Sequence, residues 1–408
     1  MTPRVATVLY ATVLGAAIAL RVCFVLMLPF GQTVVGRLEG LNDEPAHFNY
    51  VRYLVQHRAL PVQTRHVAEP GAFERADFEY YQPPLYYLLC APLVAAAEDH
   101  AGLTLCRALS LACALLSLLA LSRVLALLGL GASARRAGVL FAAWLPVHAY
   151  FTSLVSNDSL SWLIALLITH ELLRRIGLAA DRPQGHAADL RLGVLLGLGI
   201  LTKSALAVFF PVMLLAYAVL RLDRRRALVG AAIALGISLA IAGPWYARNV
   251  MVYGAPFALQ VGFGPPEPGR WSLLAQAHAA AITVWTFWFP MQHVPTTPAI
   301  LALRALGMTL IALHATAALG YLARRLPLDR PTLVAGALLA VVVAGHAALN
   351  LTWGESEGRF LLPALAPLAF LFVAPVFAWA AGKKHGDRIA HAYCALLAMH
   401  PYVFLAFV

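Results

Sequence analysis

The sequence predicts an all-α polytopic membrane protein with about eleven transmembrane helices and surface helices on its outer face. Three observations predict it. Of 408 residues, 61% are hydrophobic and 12% charged, against roughly 45–50% and about 25% in soluble globular chains, which excludes an ordinary soluble enzyme. Apolar windows of about 20 residues, enough to cross a bilayer, recur along the chain. The net charge of +11 sits in alternating loops, as cytoplasmic Lys and Arg do, so it records orientation and does not signal a nucleic-acid partner.

The first span, 5–30, follows one base, Arg4, and shows no small-x-small cleavage signal, so it is expected to persist as a signal anchor. Further spans are expected at 103–130, 137–156, 159–176, 227–247, 299–322, 331–351, 359–382 and 388–408. Residues 190–221 form one apolar block of 32, about 48 Å as a single helix. Bases flank both ends, Arg191 before and Arg221, Arg224, Arg225 and Arg226 after. One crossing would strand a cluster outside, so the block is expected to be two short helices turning near Thr202 and Lys203, with Lys203 facing out. The apolar stretch 83–97 has 15 residues, about 22 Å of helix against a hydrocarbon core of about 30 Å, and is expected to lie on the surface or re-enter.

With the N-terminus inside, eighteen bases and six acids fall inside (+12) and ten bases and thirteen acids outside (−3), with Arg21 and Arg304 inside spans. Residues 1–408 are read as one membrane domain, with 31–102 a first outer loop carrying juxtamembrane helices and 248–298 a second outer loop. Arg107 is expected outside, against Glu98 or Asp99, and residues 271–290, with Trp271, Trp285, Phe287, Trp288 and Phe289, form an aromatic interfacial stretch. Cys23, Cys90, Cys106, Cys113 and Cys394 lie in apolar segments without C-x-x-C or metal spacing, which points to core packing.

The sharpest polar cluster is Asn42-Asp43-Glu44-Pro45-Ala46-His47, followed by Phe48, Tyr50, Tyr53 and Leu54, spaced for an amphipathic helix on the bilayer. Asp43 suits its N-cap, Pro45 its first turn, and His47 lies one turn beyond Asp43. Capping and a dipole partnership for Glu44 would account for these residues as well as chemistry would.

A set of motifs then occurs in order: Asn42-Asp43-Glu44-Pro45-Ala46-His47-Phe48, Tyr80-Tyr81-Gln82-Pro83-Pro84-Leu85-Tyr86-Tyr87-Leu88, Val155-Ser156-Asn157-Asp158, Leu201-Thr202-Lys203, Trp245 to Gly254, and Gly358-Arg359-Phe360-Leu361-Leu362-Pro363. Together, across about 41–363, they resemble the GT-C superfamily of polytopic glycosyltransferases, which holds protein O-mannosyltransferases and lipid A aminoarabinose transferases. The resemblance implies a catalytic acid in the first outer loop, surface helices beside it, and a sugar donor on a polyprenyl phosphate or pyrophosphate. It also implies a second acid after the third crossing, where Asp158 falls if 83–97 does not span. Many members have a Lys or an acid beside the Pro-Pro pair, where this chain has Tyr81 and Gln82; both are placed among the substrate-binding residues.

Transfer from such a donor needs a base for the acceptor proton and cations for the departing phosphate. Asp43 is the candidate base, with His47 to relay or orient. Glu44 would set its pKa by like charge or face the acceptor. Lys203, Arg248 and Arg359 are the candidate phosphate ligands; the alternatives are a snorkelling Lys203, Arg248 as a head-group anchor and Arg359 in an ion pair to Glu355 or Glu357. Gly358 would let a head group near the backbone. Asp158 either caps a helix or faces Asp43 across the cavity, where the two could hold a divalent cation such as Mg or Mn; three protein oxygen ligands are not evident, so the metal is left open. The acceptor is a protein, lipid or polysaccharide. Without Walker or Rossmann loops, a nucleotide site is excluded. A lipid or solute transporter is the competing class, disfavoured because acids gather in an outer loop and no inverted repeat is visible. A non-catalytic assembly subunit is the third.

Overall fold

The computed structural model describes residues 3–28, 30, 43–66, 69, 71, 75–97, 99–178, 185–219, 224–264, 272–290, 297–325 and 329–402. Among them the regular structure is entirely helical. The helices are α1 (Pro3–Met27), α2 (Glu44–His57), α3 (Leu85–Ala95), α4 (Asp99–Leu127), α5 (Ala132–Trp144), α6 (Pro146–Phe151), α7 (Asp158–Leu178), α8 (Ala187–Thr202), α9 (Phe209–Val219), α10 (Arg224–Tyr253), α11 (Leu259–Phe263), α12 (Leu273–Trp288), α13 (Pro298–Arg325), α14 (Arg330–Trp353), α15 (Leu365–Ala380) and α16 (Gly386–Met399). Three-ten turns over Ser204–Val208 and Gly358–Ala364 lead into α9 and α15. Six stretches are each long and apolar enough to cross a membrane, Thr7–Met27, His100–Leu127, Arg224–Tyr253, Pro298–Arg324, Arg330–Trp353 and Gly358–Ala380. The chain is an integral, multi-pass membrane protein.

The 32-residue apolar block folds as the expected hairpin. α8 stops at Thr202, Lys203 is extended (φ −152°, ψ 124°) and the chain turns back. The hydroxyl of Tyr217, near the end of α9, donates to Asp189 at the start of α8 over 2.6 Å. Asp189 is fully buried and also accepts from Arg175 (2.5 Å) and Arg226 (2.9 Å), which ties together the basic ends of α7, α8 and α10. α8 presses on α10 through Gly193, where a Cβ would stand 2.7 Å from the carbonyl oxygen of Ala234. Small residues allow that close approach of backbones in a membrane.

α3 does not cross. It forms an antiparallel hairpin with the first turns of α4: Tyr86 bonds Ser110 over 2.7 Å, and Val94, two turns on, faces Gly102. Its 11 residues reach only about 16 Å.

The expected span 137–156 is broken. Leu145 is held extended before Pro146, which ends α5 and starts α6. The break leaves carbonyls at the end of α5 without helical partners, and the fully buried Arg21 fills them. Its guanidinium donates to the oxygens of Ala142 (3.1 Å) and Ala143 (2.7 Å) and to Thr152 (2.8 Å), beside the His148 ring. A cation at a helix C-terminus is favourably placed, which explains a charge within a span.

α12 is more than an interfacial belt. Leu273 and Leu274 are exposed, while Thr286, Phe287 and Trp288 are buried, and Thr286 Oγ1 accepts from the backbone N–H of Gly358 over 2.8 Å. α12 therefore props the turn that carries Arg359. Trp271 lies outside the described residues.

Candidate functional site

Four chain segments at helix ends converge. Asp43 precedes α2 and Asp158 opens α7; Lys203 follows α8, and Arg359 sits in the turn before α15. Asp43 occupies the N-cap position but its side chain makes no cap bond, while Pro45 lies in the first turn. The carboxylate is thereby left for Arg359, whose two terminal nitrogens each donate to one Asp43 oxygen at 3.0 Å. The same guanidinium reaches Asp158 Oδ2 at 3.5 Å and Glu357 at 2.5 Å, and lies over the Phe151 ring at 4.6 Å. Lys203 Nζ donates to the other Asp158 oxygen at 2.5 Å and faces the Phe360 ring. These are charge-assisted bonds in a setting where Asp158 is 2% exposed.

A second branch runs from Asp43 through His47. His47 Nε2 lies 3.5 Å from Asp43 Oδ2, and its Nδ1 bonds the Tyr87 hydroxyl at 2.6 Å. Glu79 closes this branch: the donor atoms of Asp43, His47 and Glu79 all lie within 4.8 Å of one another, and Glu79 Oε2 is buried without a hydrogen-bond partner. Gln82 accepts from Asn157 (3.3 Å) and donates to the Tyr81 hydroxyl (3.1 Å), so both residues line the same region.

Burial raises the Asp43 pKa, but the Arg359 guanidinium and His47 outweigh it and hold the carboxyl well below its usual range. Burial works against the His47 imidazolium, yet Glu79 and Asp43 push its pKa up. Glu79, buried and only partly offset by His47, is raised to about 7. Burial and the neighbouring Glu357 raise Glu355 likewise to about 7. Five carboxylates (Asp43, Glu79, Asp158, Glu355, Glu357) thus surround Arg359, Lys203 and His47.

Several expectations are corrected. Glu44 faces away from Asp43: its carboxylate is buried in a fork with Arg107 (2.7 and 2.5 Å) and accepts the Val155 N–H (2.7 Å). Successive residues on a helix point about 100° apart, so Glu44 positions α2 against α4 and α7, and it takes the partner expected of Glu98 or Asp99 for Arg107. Arg248 does not join the cluster; it donates to the Pro61 carbonyl at 2.6 Å and stacks on Trp245, the anchoring alternative. Gly358 faces protein and not a head group, since a Cβ there would meet the Phe287 backbone at 2.5 Å. Arg359 lies between Asp43 and Asp158, where the sequence left a Mg or Mn ion open; the donor set that fits a cation is Asp43, His47 and Glu79. Sequence reasoning missed Glu79, Tyr87 and Phe151 as parts of the site; Glu79 lies just ahead of the Tyr-Tyr-Gln-Pro-Pro run, which was the available signal.

Beside Lys203 opens a cavity of about 220 Å³, walled by Val208, Leu259, Phe263, Val342 and Phe360, with Tyr81 and Gln82 on its rim.

The helices and this polar cluster, set where membrane helices end, define a polytopic membrane protein, and its fold is shared by solved proteins. The chain is similar to the Archaeoglobus fulgidus oligosaccharyltransferase tethered with an acceptor peptide containing the NVT sequon (TM-score 0.59, 15% identity), covering 97% of this chain and 54% of that one. It is also similar to Cupriavidus metallidurans ArnT bound to undecaprenyl phosphate (TM-score 0.57, 15% identity), over 99% of this chain and 71% of that one. A complex of the Archaeoglobus protein, AglB, with an inhibitory peptide and a dolichol-phosphate matches at TM-score 0.57. The chain thus spans about half the length of the oligosaccharyltransferase. No protein-family model matches the sequence, and no curated protein does.

Proposed function

We propose that the protein transfers a sugar from a polyprenyl-phosphate or pyrophosphate carrier to an acceptor at the outer face of the inner membrane, the basic loops facing the cytoplasm. The observation that carries this reading is Lys203: a nearly buried ammonium, the partner of Asp158, at the mouth of an apolar cavity in the membrane domain. An anionic head group at the ammonium with a hydrocarbon chain along the cavity matches both halves. Phospholipid-bound sugars have that chemistry, and solved proteins of this fold are described with undecaprenyl phosphate and with dolichol-phosphate.

Lys203 neutralises charge on the leaving phosphate as the glycosidic bond breaks. Arg359 holds Asp43 ionised and aimed, so Asp43 receives the acceptor's hydrogen bond and takes its proton late, after the oxocarbenium character has developed. The proton then passes by His47 to Glu79, whose pKa near 7 suits it as the store. In place of that relay, Asp43, His47 and Glu79 fit a divalent cation of the Mn or Zn kind, given their mixed nitrogen and oxygen donors. Such an ion would supply Lewis-acid stabilisation of the phosphate.

The test supplies purified protein with a polyprenyl-phosphate-linked sugar and measures carrier release. Wild type releases carrier and Asp43→Asn loses at least 100-fold; equal release by both would remove Asp43 as base. No release with any donor, together with solute uptake into vesicles, would favour a transporter.

A further inference from the structure

We propose that Cys90 and Cys106 are joined in the cell by a disulfide that staples α3 to α4. This rests on the orientation proposed above, which puts the outer end of the α3–α4 hairpin, where Cys106 lies two turns into α4, toward the oxidising compartment.

The hairpin's register carries the inference. Tyr86 pairs with Ser110, and Val94 faces Gly102. Going four residues forward on α3 and four back on α4 from the first pair brings Cys90 opposite Cys106, midway to the second. Both side chains are fully buried in the same cluster. The thiols are adjacent: the Cys106 thiol is the leading cause that pushes the Cys90 thiol up, ahead of burial. A bridge needs Cα atoms within about 7 Å, which helices reach only at close approach. Here Gly102 supplies it, since even a Cβ there would stand 3.2 Å from Val94 Cα. The other cysteines have no such partner position: Cys23 is exposed on α1, Cys113 lies two turns deeper on α4, and Cys394 is on α16.

The reaction is thiol–disulfide exchange with an oxidised dithiol oxidoreductase. The Cys106 thiolate attacks the oxidant's disulfide and releases one of its thiolates; the Cys90 thiolate then displaces the second. One protein disulfide forms, two protons leave the cysteines, and the oxidant ends as a dithiol. A buried thiol with a raised pKa reacts poorly, so the exchange precedes the docking of α2, whose Phe48, Tyr50 and Val51 are buried in the same cluster as the pair. The staple also bears on the site. Tyr87 lies one turn before Cys90, and its hydroxyl bonds His47.

The experiment takes the full-length protein from membranes lysed in SDS with N-ethylmaleimide, digests it without reduction and searches by mass spectrometry for the peptide pair linking residues 90 and 106. The expected result is a linked pair as the main form, replaced by alkylated Cys106 in Cys90→Ser. A reporter fused between α4 and α5 is read in parallel. Full alkylation of both thiols with the reporter inside overturns the bridge alone, whereas full alkylation with the reporter outside overturns bridge and orientation together. Neither arm uses a sugar donor, so failure of the transfer reaction is separately visible.

Discussion

The substitution Lys203→Met separates two roles that the structure superimposes on one ammonium. Lys203 is bonded to Asp158 and stands at the mouth of the cavity beside it, 13% exposed. A phosphate oxygen about 4 Å away in surroundings of effective dielectric about 20 would gain about 4 kcal/mol. Desolvation removes part of that, and truncating one partner of a buried charge pair typically costs 2–5 kcal/mol. Donor affinity should therefore fall by about 2–4 kcal/mol, roughly 30- to 1000-fold in Kd. The assay is binding of a polyprenyl-phosphate sugar to purified protein, with thermal stability followed in the same samples. Lys203→Met also leaves the Asp158 carboxylate with Arg359 alone at 3.5 Å, so part of any loss is structural. The double variant Lys203→Met/Asp158→Asn removes that component by neutralising the stranded acid. If Lys203 binds phosphate, the double variant regains stability and still fails to hold donor. Donor affinity restored to wild type in the double variant would refute the phosphate role and leave Lys203 as the counter-ion of Asp158.

Three further outcomes follow from the same geometry. Glu44→Gln strands Arg107, 3% exposed, and should destabilise the protein by about 3–5 kcal/mol, seen as a lowered thermal midpoint; Glu44→Gln with wild-type stability would show that the Arg107 charge is met some other way. Glu79→Ala should abolish Mn or Zn binding measured by calorimetry, while Asp158→Asn should retain it, since Asp158 is bound to Lys203 and Arg359. Glu355 has its pKa raised from 4.5 to about 7, so it holds its proton more tightly folded than unfolded. Its contribution is present below about pH 4.5 and is lost as pH rises to about 7, worth on the order of 1–3 kcal/mol. Glu355→Gln should accordingly raise the thermal midpoint at pH 8 and change it little at pH 4.5; an equal shift at both would place the effect elsewhere.

The residues legible in the sequence were those whose presence at the end of an apolar run is costly without a partner. Asp158, Lys203 and Arg359 each interrupt or border a span, Asp43 opens an amphipathic helix, and the structure joins all four. The turn at Thr202–Lys203 and the short α3 were legible because helix length against bilayer thickness leaves few alternatives. Glu44 was not separable from Asp43: neighbours on a helix diverge in direction, and which of two acids meets Arg107 is decided by α4, more than 60 residues on. Glu79 and Glu355 lie in turns with no periodicity, and long-range packing alone brings them to the site. Arg21 was legible only as a charge inside a span, and the break at Leu145–Pro146 shows which carbonyls it fills.

That break and Arg359 express one physical rule from opposite ends of the energy scale. Arg21 is tolerated because freed helix carbonyls and Thr152 take up its two terminal nitrogens, with no acid among its partners in the described residues. Arg359 has the reverse surplus, with Asp43, Asp158 and Glu357 all within 3.5 Å. A guanidinium so enclosed has little capacity left for a phosphate, whereas Lys203 has a single carboxylate partner and faces the open cavity. The two cations therefore divide the work: Arg359 fixes the acids in place, and Lys203 is the one positioned to receive the donor's charge.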